Sequence, residues 1–196
     1  KPGDFKFEDA DKDGKINLTS DRVILGSYQP KYTFGFATDL EWRGFDLSVS
    51  MQGVSGNKIL NLGRRYFYNH EGNMNNYAGA VNRWKSESDP GSGKNVRANR
   101  VGKGQNGITS SWHVEDGSYL RVRNITLGYS LSPAIIDKWG VTKARLYVSL
   151  QNMFTFTKYE GYNPEVSNRT LSTTNGEDYG VYPTAKTVSV GINVTF

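Results

Sequence analysis

The sequence predicts an all-β protein: an antiparallel, up-and-down sheet of five strands joined alternately by short turns and long loops. Three observations predict it. Several stretches alternate apolar and polar residues with a period of two, as in a strand with two unlike faces. The 196 residues include 22 Gly, 12 Tyr, 9 Phe and 4 Trp, a mixture that favours sheets over helix bundles. The connections alternate between short and long, which places every long loop at one end of a meander.

The elements follow in order. In KYTFGFATDLEWR (31–43), Tyr32, Phe34, Phe36, Leu40 and Trp42 share one face with Thr38, and Thr33, Gly35, Ala37, Asp39, Glu41 and Arg43 occupy the other. A tight turn at Gly44 leads to FDLSVSMQ (45–52), where Phe45, Leu47, Val49 and Met51 alternate with Asp46, Ser48, Ser50 and Gln52. These two fill 31–53. The third strand lies in 118–132: Leu120 and Val122 have one phase, and Ile125, Leu127, Tyr129 and Leu131 the other. A β-bulge at Arg123–Asn124 restores the face; the alternative is a strand that begins at Asn124. The fourth, 144–154, aligns Leu146, Val148, Leu150 and Phe154, with Asn152 interrupting. The fifth, 184–196, sets Val188, Val190, Ile192, Val194 and Phe196 against Thr187, Ser189, Gly191, Asn193 and Thr195.

The connection 132–143 is short, contains Pro133 and has room for one helical turn. Segments 53–117 and 155–183 are long, irregular and rich in Gly, Asn, Ser and Tyr. Loops beyond about 12–15 residues are uncommon in a compact domain and are usually functional. Two architectures produce this pattern. A soluble sandwich or small barrel turns its apolar face inward. A transmembrane barrel turns it to lipid and keeps a polar lumen. Strand lengths near 9–11 residues and aromatics near strand ends (Tyr32, Phe34, Trp42, Phe45, Phe154, Phe196) favour the membrane barrel.

Composition excludes several classes. No run of about 18 apolar residues exists, so no transmembrane helix is expected, which leaves barrel strands open. Zero cysteines exclude disulfides and thiolate metal sites. The net charge of +5 comes from scattered basic residues, with Arg64–Arg65 the one adjacent pair, and implies solvated loops and no nucleic-acid partner. His70 and His113 fall in one expected loop and read as ordinary surface residues. Asp116–Gly117 reads as turn chemistry, and Glu160 and Glu165 around GYNP as loop conformation. GKGQNG (102–107) lacks the strand–helix context of a phosphate loop. No nucleophile–base pair or convergent acid pair appears, so the chain is not expected to be an enzyme.

The strongest chemical motif is DADKDGKIN (9–17). Asp9, Asp11 and Asp13 occupy positions 1, 3 and 5 of a calcium loop, Gly14 permits the sharp turn, and Lys15 offers its backbone carbonyl. Asn17 is a further ligand, direct or through water. The acid expected at position 12 comes one residue late, as Asp21 after Ser20, which weakens affinity. Hard oxygens suit Ca²⁺ in a structural role. An Asx-rich turn without metal is the other reading.

The stretches GDFKFEDADKDGKIN (3–17), WRGFDLSVSMQGVSGNKI (42–59), VEDGSYLRVRNITLGYSL (114–131), LYVSLQNMFTFTKYEGYNPEV (146–166) and GEDYGVYPTAKTVSVGINVTF (176–196) follow one family in order. The chain resembles the C-terminal part of SusC/RagA-type TonB-dependent outer-membrane transporters of the Bacteroidetes, most weakly over 59–109. The resemblance implies the last five strands of a transmembrane barrel of about 22. Residues 1–30 would be an extracellular acidic loop, and 53–117 and 155–183 extracellular loops. It also implies import of oligosaccharides or peptides, energised by the TonB complex and covered by a SusD-like surface lipoprotein. Phe196, with Val190, Ile192 and Val194, resembles the terminal signal that such barrels present to the insertion machinery. The chain starts at Lys1 and lacks a plug, so it is expected to be a piece of a longer protein. The alternative is a soluble or secreted calcium-binding β-domain that binds glycans.

Overall fold

The computed structural model describes residues 1–100, 104–166 and 175–196. In chain order its main elements are β1 (Tyr32–Trp42), β2 (Phe45–Ser55), β3 (Lys58–Asn61), α1 (Leu62–Phe67), β4 (Val114–Asp116), β5 (Tyr119–Ser130), α2 (Pro133–Ile136), β6 (Lys143–Thr157), β7 (Glu177–Asp178) and β8 (Thr187–Thr195). They group into two compact units. One comprises Tyr28–Lys58, Asp116–Glu165 and Val181–Phe196; the other comprises Lys1–Ser27, Ile59–Glu115 and Val166–Gly180.

The first unit is a five-stranded sheet in the order β1-β2-β5-β6-β8, every neighbouring pair antiparallel. Register turns the sequence alternation into rows. Leu40, Leu47, Leu127, Val148 and Val190 lie side by side across all five strands. One residue along lies Asp39, Ser48, Thr126, Ser149 and Ser189. Because side chains alternate between faces, one face of the sheet is apolar and the other polar. The apolar face is uncovered: Phe36 is 59% exposed and Val190 78%, and Leu40, Leu127 and Val148 are exposed too. Burying such side chains is worth roughly 1.5–3 kcal/mol each, so a soluble sheet would pack them against a second layer. The soluble reading expected that layer, and among the described residues these side chains have none.

Local chemistry sets the turns. Arg43 (φ 46°) and Gly44 (φ 88°) both take the left-handed region, as a two-residue hairpin turn requires, and the Trp42–Phe45 pair closes it. The link from β5 to β6 is α2 followed by a 3-10 turn, Asp137–Trp139, with Pro133 at the helix start and Gly140 (φ 65°) ending it. The bulge lies in β5. Val122 faces Met51 and Asn124 faces Ser50, so Arg123 is the extra residue, and the strand starts at Tyr119 and not at Asn124. Opposite it on β6, Asn152 has φ 52°, which is the physical reason that it interrupts its face. β6 also runs three residues past the expected end at 154, to Thr157, and β8 begins at Thr187 and not at 184.

The second unit corrects the expectation of irregular loops. Segment 53–117 contributes β3, α1 and β4, and β3 is central in a small three-stranded sheet, β4-β3-β7, pairing in parallel with β7 from 155–183. Ile59, Leu62, Val96 and His113 form its core. Asn61 caps α1, its Oδ1 accepting from Arg64 N–H at 3.1 Å. Phe5, Trp112, Tyr68, Tyr77 and Phe67 run on as edge-to-face and tilted ring pairs 4.4–5.8 Å apart. The Arg64 guanidinium stands 4.6 Å from the Trp112 ring. The loop aromatics thus pack against one another, Tyr66 being exposed.

Candidate functional sites: the acidic loop and the polar wall

The acidic loop is built from Asx turns. Asp9 accepts from Gly14 N–H at 2.8 Å, Asp11 from Asp13 N–H at 3.2 Å, and Asp13 from Lys15 N–H at 2.7 Å. Gly14 (φ 83°) and Lys12 (φ 61°) supply the left-handed turns between them. Asn17 Oδ1 accepts from the backbone N–H groups of Thr19 and Ser20, which commits it to its own turn. Asp21 closes the loop by accepting from Ala10 N–H at 2.9 Å and Asn17 N–H at 2.6 Å.

Of the six expected ligands, three carboxylates converge. Asp9, Asp11 and Asp21 each place an oxygen within 4.8 Å of the others. Asp13 is not in that group. The one-residue offset of Asp21 in sequence is therefore taken up by the fold. Asp9 Oδ1 is shut from solvent and has no hydrogen-bond partner among the described residues, an unsatisfied oxygen of the kind that a hard cation completes. The Ser20 hydroxyl, with the Asp13 backbone, holds the Asp11 carboxyl below the usual carboxylate range. The donor set is all oxygen and fits Ca²⁺.

Sequence reasoning indicated the polar face of the sheet but missed the contacts that tie it together. Glu165, expected only to shape the GYNP loop, is an anchor. Its carboxylate accepts from Gln52 Nε2 at 2.7 Å, Tyr119 Oη at 2.8 Å, Arg123 Nη2 at 2.6 Å and Arg121 Nη1 at 2.5 Å. Arg121, 2% exposed, also donates to Asn163 Oδ1 at 2.9 Å, Thr155 Oγ1 at 3.0 Å and Thr184 Oγ1 at 3.2 Å. Further along, Arg145 on β6 pairs with Asp46 on β2, its Nε donating at 2.8 Å. The pair crosses above Gly128 of the intervening β5, where any Cβ would collide with both side chains. Alternation does indicate the polar face; which polar groups meet depends on register and loop path.

Both histidines correct the expectation of surface residues. His113 is 1% exposed, and burial pulls its pKa down to about 4; its Nδ1 accepts from Ser110 N–H at 3.1 Å. His70 is 6% exposed, and burial, then the charge of Arg83, lowers its proton affinity. Asp4, between Arg97 and Asn106, is held far below the usual range, chiefly by the Arg97 guanidinium at 2.7 Å. Asp116 behaves as a turn former, accepting from Ser118 N–H and Oγ. In 102–107, Gly102 and Lys103 lie outside the described residues, and Gly104 N–H and Asn106 bind Glu71.

No family model matches the chain. Over its whole length it is 38% identical to TonB-dependent receptor P3 of Formosa agariphila, and it is 31% identical to receptor P26 of the same organism over 99% of its length. This chain is homologous to a segment of TonB-dependent receptors. Receptor SusC of Bacteroides thetaiotaomicron is 26% identical over the entire segment. The segment spans about a fifth of the length of these curated relatives. Its fold is found in the RagAB peptide importer in the open-open state, with a TM-score of 0.72 and 24% identity over 93% of the segment and 19% of that chain. The closed-closed state gives 0.70 and 23% over 94% of the segment and 20% of that chain. The segment thus shares its antiparallel β fold with part of a RagA-type barrel. Its relatives are receptors by name. Among the described residues no helix is long and apolar enough to cross a membrane, which says nothing of the strands.

Proposed function

We propose that the segment forms barrel wall in an outer-membrane importer that takes up oligosaccharides or peptides with TonB energy, beneath a SusD-like lipoprotein lid. The observation that carries this is the two-faced sheet. A continuous, exposed apolar face suits lipid, and the face bearing Asp46–Arg145 and Arg121–Glu165 suits a water-filled lumen. β1 and β8 each pair on one side, and hydrocarbon would leave their free edges unsatisfied, so the rest of the barrel must close them. RagAB, whose fold is shared, is a peptide importer, and SusC is a named relative.

In this reading residues 1–30, 53–117 and 155–183 lie outside the cell, and β8 with Val190, Ile192, Val194 and Phe196 addresses the barrel insertion machinery. The acidic loop holds a structural Ca²⁺ through Asp9, Asp11 and Asp21, a reading supported by their convergence and by the orphaned oxygen of Asp9. Uptake of labelled oligosaccharides and peptides by whole cells tests the proposal. Deleting the receptor, or collapsing the inner-membrane proton gradient, should abolish uptake of its cargo. Undiminished uptake of every such probe after deletion would overturn it.

A further inference from the structure

The unit comprising Lys1–Ser27, Ile59–Glu115 and Val166–Gly180 contains a cavity of about 630 Å³ whose lining includes His70, Asn73, Asn76, Tyr77, Arg83 and Arg100 and no carboxylate. We infer that this cavity binds an acidic saccharide, its oxyanion held by Arg83 and Arg100 and its hydroxyls by the carboxamides. The inference rests on the importer reading only in treating this ligand as cargo.

Four observations support it. The walls are fixed: Ser92 N–H bonds Asn82 O at 2.8 Å, Trp84 N–H bonds Asn95 O at 3.1 Å, and these hold the backbone on both sides of Arg83. Asn99 N–H bonds His70 O at 3.2 Å and Tyr77 N–H bonds Phe67 O at 3.2 Å, fixing the opposite side. Arg100 donates to Asn73 Oδ1 at 2.6 Å, which holds one guanidinium at the cavity while leaving it further donors. The Tyr77 ring is braced against Phe67 at 4.4 Å and remains 39% exposed, a platform for a sugar face. Lastly, His70 Nε2 is cut off from solvent and has no hydrogen-bond partner among the described residues. An unspent buried hydrogen bond is costly, and a ligand hydroxyl or oxyanion at this wall would complete it.

Two cations without a compensating acid select an anion, and guanidinium forks match carboxylate and sulfate alike. Asparagine carboxamides present donor and acceptor together, as sugar hydroxyls do. An extended peptide would need a free strand edge or runs of backbone partners, and the asparagine-rich wall favours the saccharide instead.

The test uses the intact receptor, purified in detergent, with tetragalacturonate, a sulfated carrageenan tetrasaccharide, maltotetraose and tetraglutamate as probes in calorimetry. Tetragalacturonate or the sulfated probe should bind. The Arg83→Ala/Arg100→Ala variant should lose that binding by about tenfold or more, as expected for removing charge-assisted hydrogen bonds. His70→Gln should weaken it less. Heat-modifiable migration in gels checks that each variant retains its barrel. The two acidic sugars distinguish carboxylate from sulfate. Equal binding of maltotetraose, preference for tetraglutamate, no binding of either acidic sugar, or an unaffected double variant would each overturn the inference. Binding lost in the variant while cells take up nothing would instead sink the importer reading alone.

Discussion

Arg121 and Glu165, 44 residues apart in the chain, meet at 2.5 Å on the polar face of the sheet, and Arg121 is almost wholly buried there. The contact ties the GYNPE turn to β5. It also brings Gln52, Tyr119, Arg123 and Asn163 into one network.

Glu165→Gln should therefore destabilise the receptor without changing its shape. It leaves the Arg121 cation buried with neutral partners only. Breaking a buried pair costs about 3–5 kcal/mol; because Glu165 is itself partly exposed, the lower end of that range is expected. The midpoint of heat-modifiable gel migration should fall. The double variant Arg121→Leu/Glu165→Leu should recover part of the loss.

Calcium added to the chelated receptor should release or absorb heat that disappears in Asp11→Ala. The spatial grouping makes a sharper prediction than the sequence does. Asp21→Asn should weaken binding more than Asp13→Asn, because Asp21 joins Asp9 and Asp11 while Asp13 does not. The reverse order would place the ion where the sequence spacing alone puts it.

Acid should loosen the loop unit through Asp4. Its folded-state pKa is depressed, mainly by the hydrogen bond from Arg97, so its contribution to stability is complete above the unfolded value of about 3.9. That contribution declines as pH falls below this value and is gone once pH passes below the folded value. Hydrogen exchange at Phe5, whose N–H binds Asn106, should quicken over that window. In Asp4→Asn exchange should be faster at neutral pH and less dependent on acid.

Charge should be tolerated on one face of β8 and not on the other. Val190→Arg places a cation on the exposed apolar row, where about 2–4 kcal/mol is expected near a bilayer midplane. Ser189→Arg, one residue away on the polar row, should assemble nearly normally. Deleting Phe196 should lower the assembled yield in membranes, read by the same gel migration.

The strands were legible because period-two alternation is a local signal. Tyr32–Trp42 and Thr187–Thr195 need no distant information to declare their faces. The bulge at Arg123 was legible as a phase slip for the same reason. The Asp46–Arg145 and Arg121–Glu165 pairs were not, since each depends on register across intervening strands or on the return path of a loop. His70 and His113 were misread because a long loop was expected to be solvated, whereas 53–117 builds a core of its own around Ile59. In the acidic loop the residue types were legible, but only the turn geometry chose Asp21 over Asp13.

Single-cysteine labelling of the intact receptor in lipid tests the central claim most directly. Cysteines are placed singly at Leu47, Leu127, Val148 and Val190, and at Ser48, Thr126, Ser149 and Ser189, in a receptor otherwise without accessible thiols. The first row should report to lipid-phase quenchers and resist a water-soluble maleimide; the second should react with the maleimide and escape the quenchers. Equal reaction of both rows with the maleimide, or an apolar row closed to lipid, would contradict the barrel-wall account.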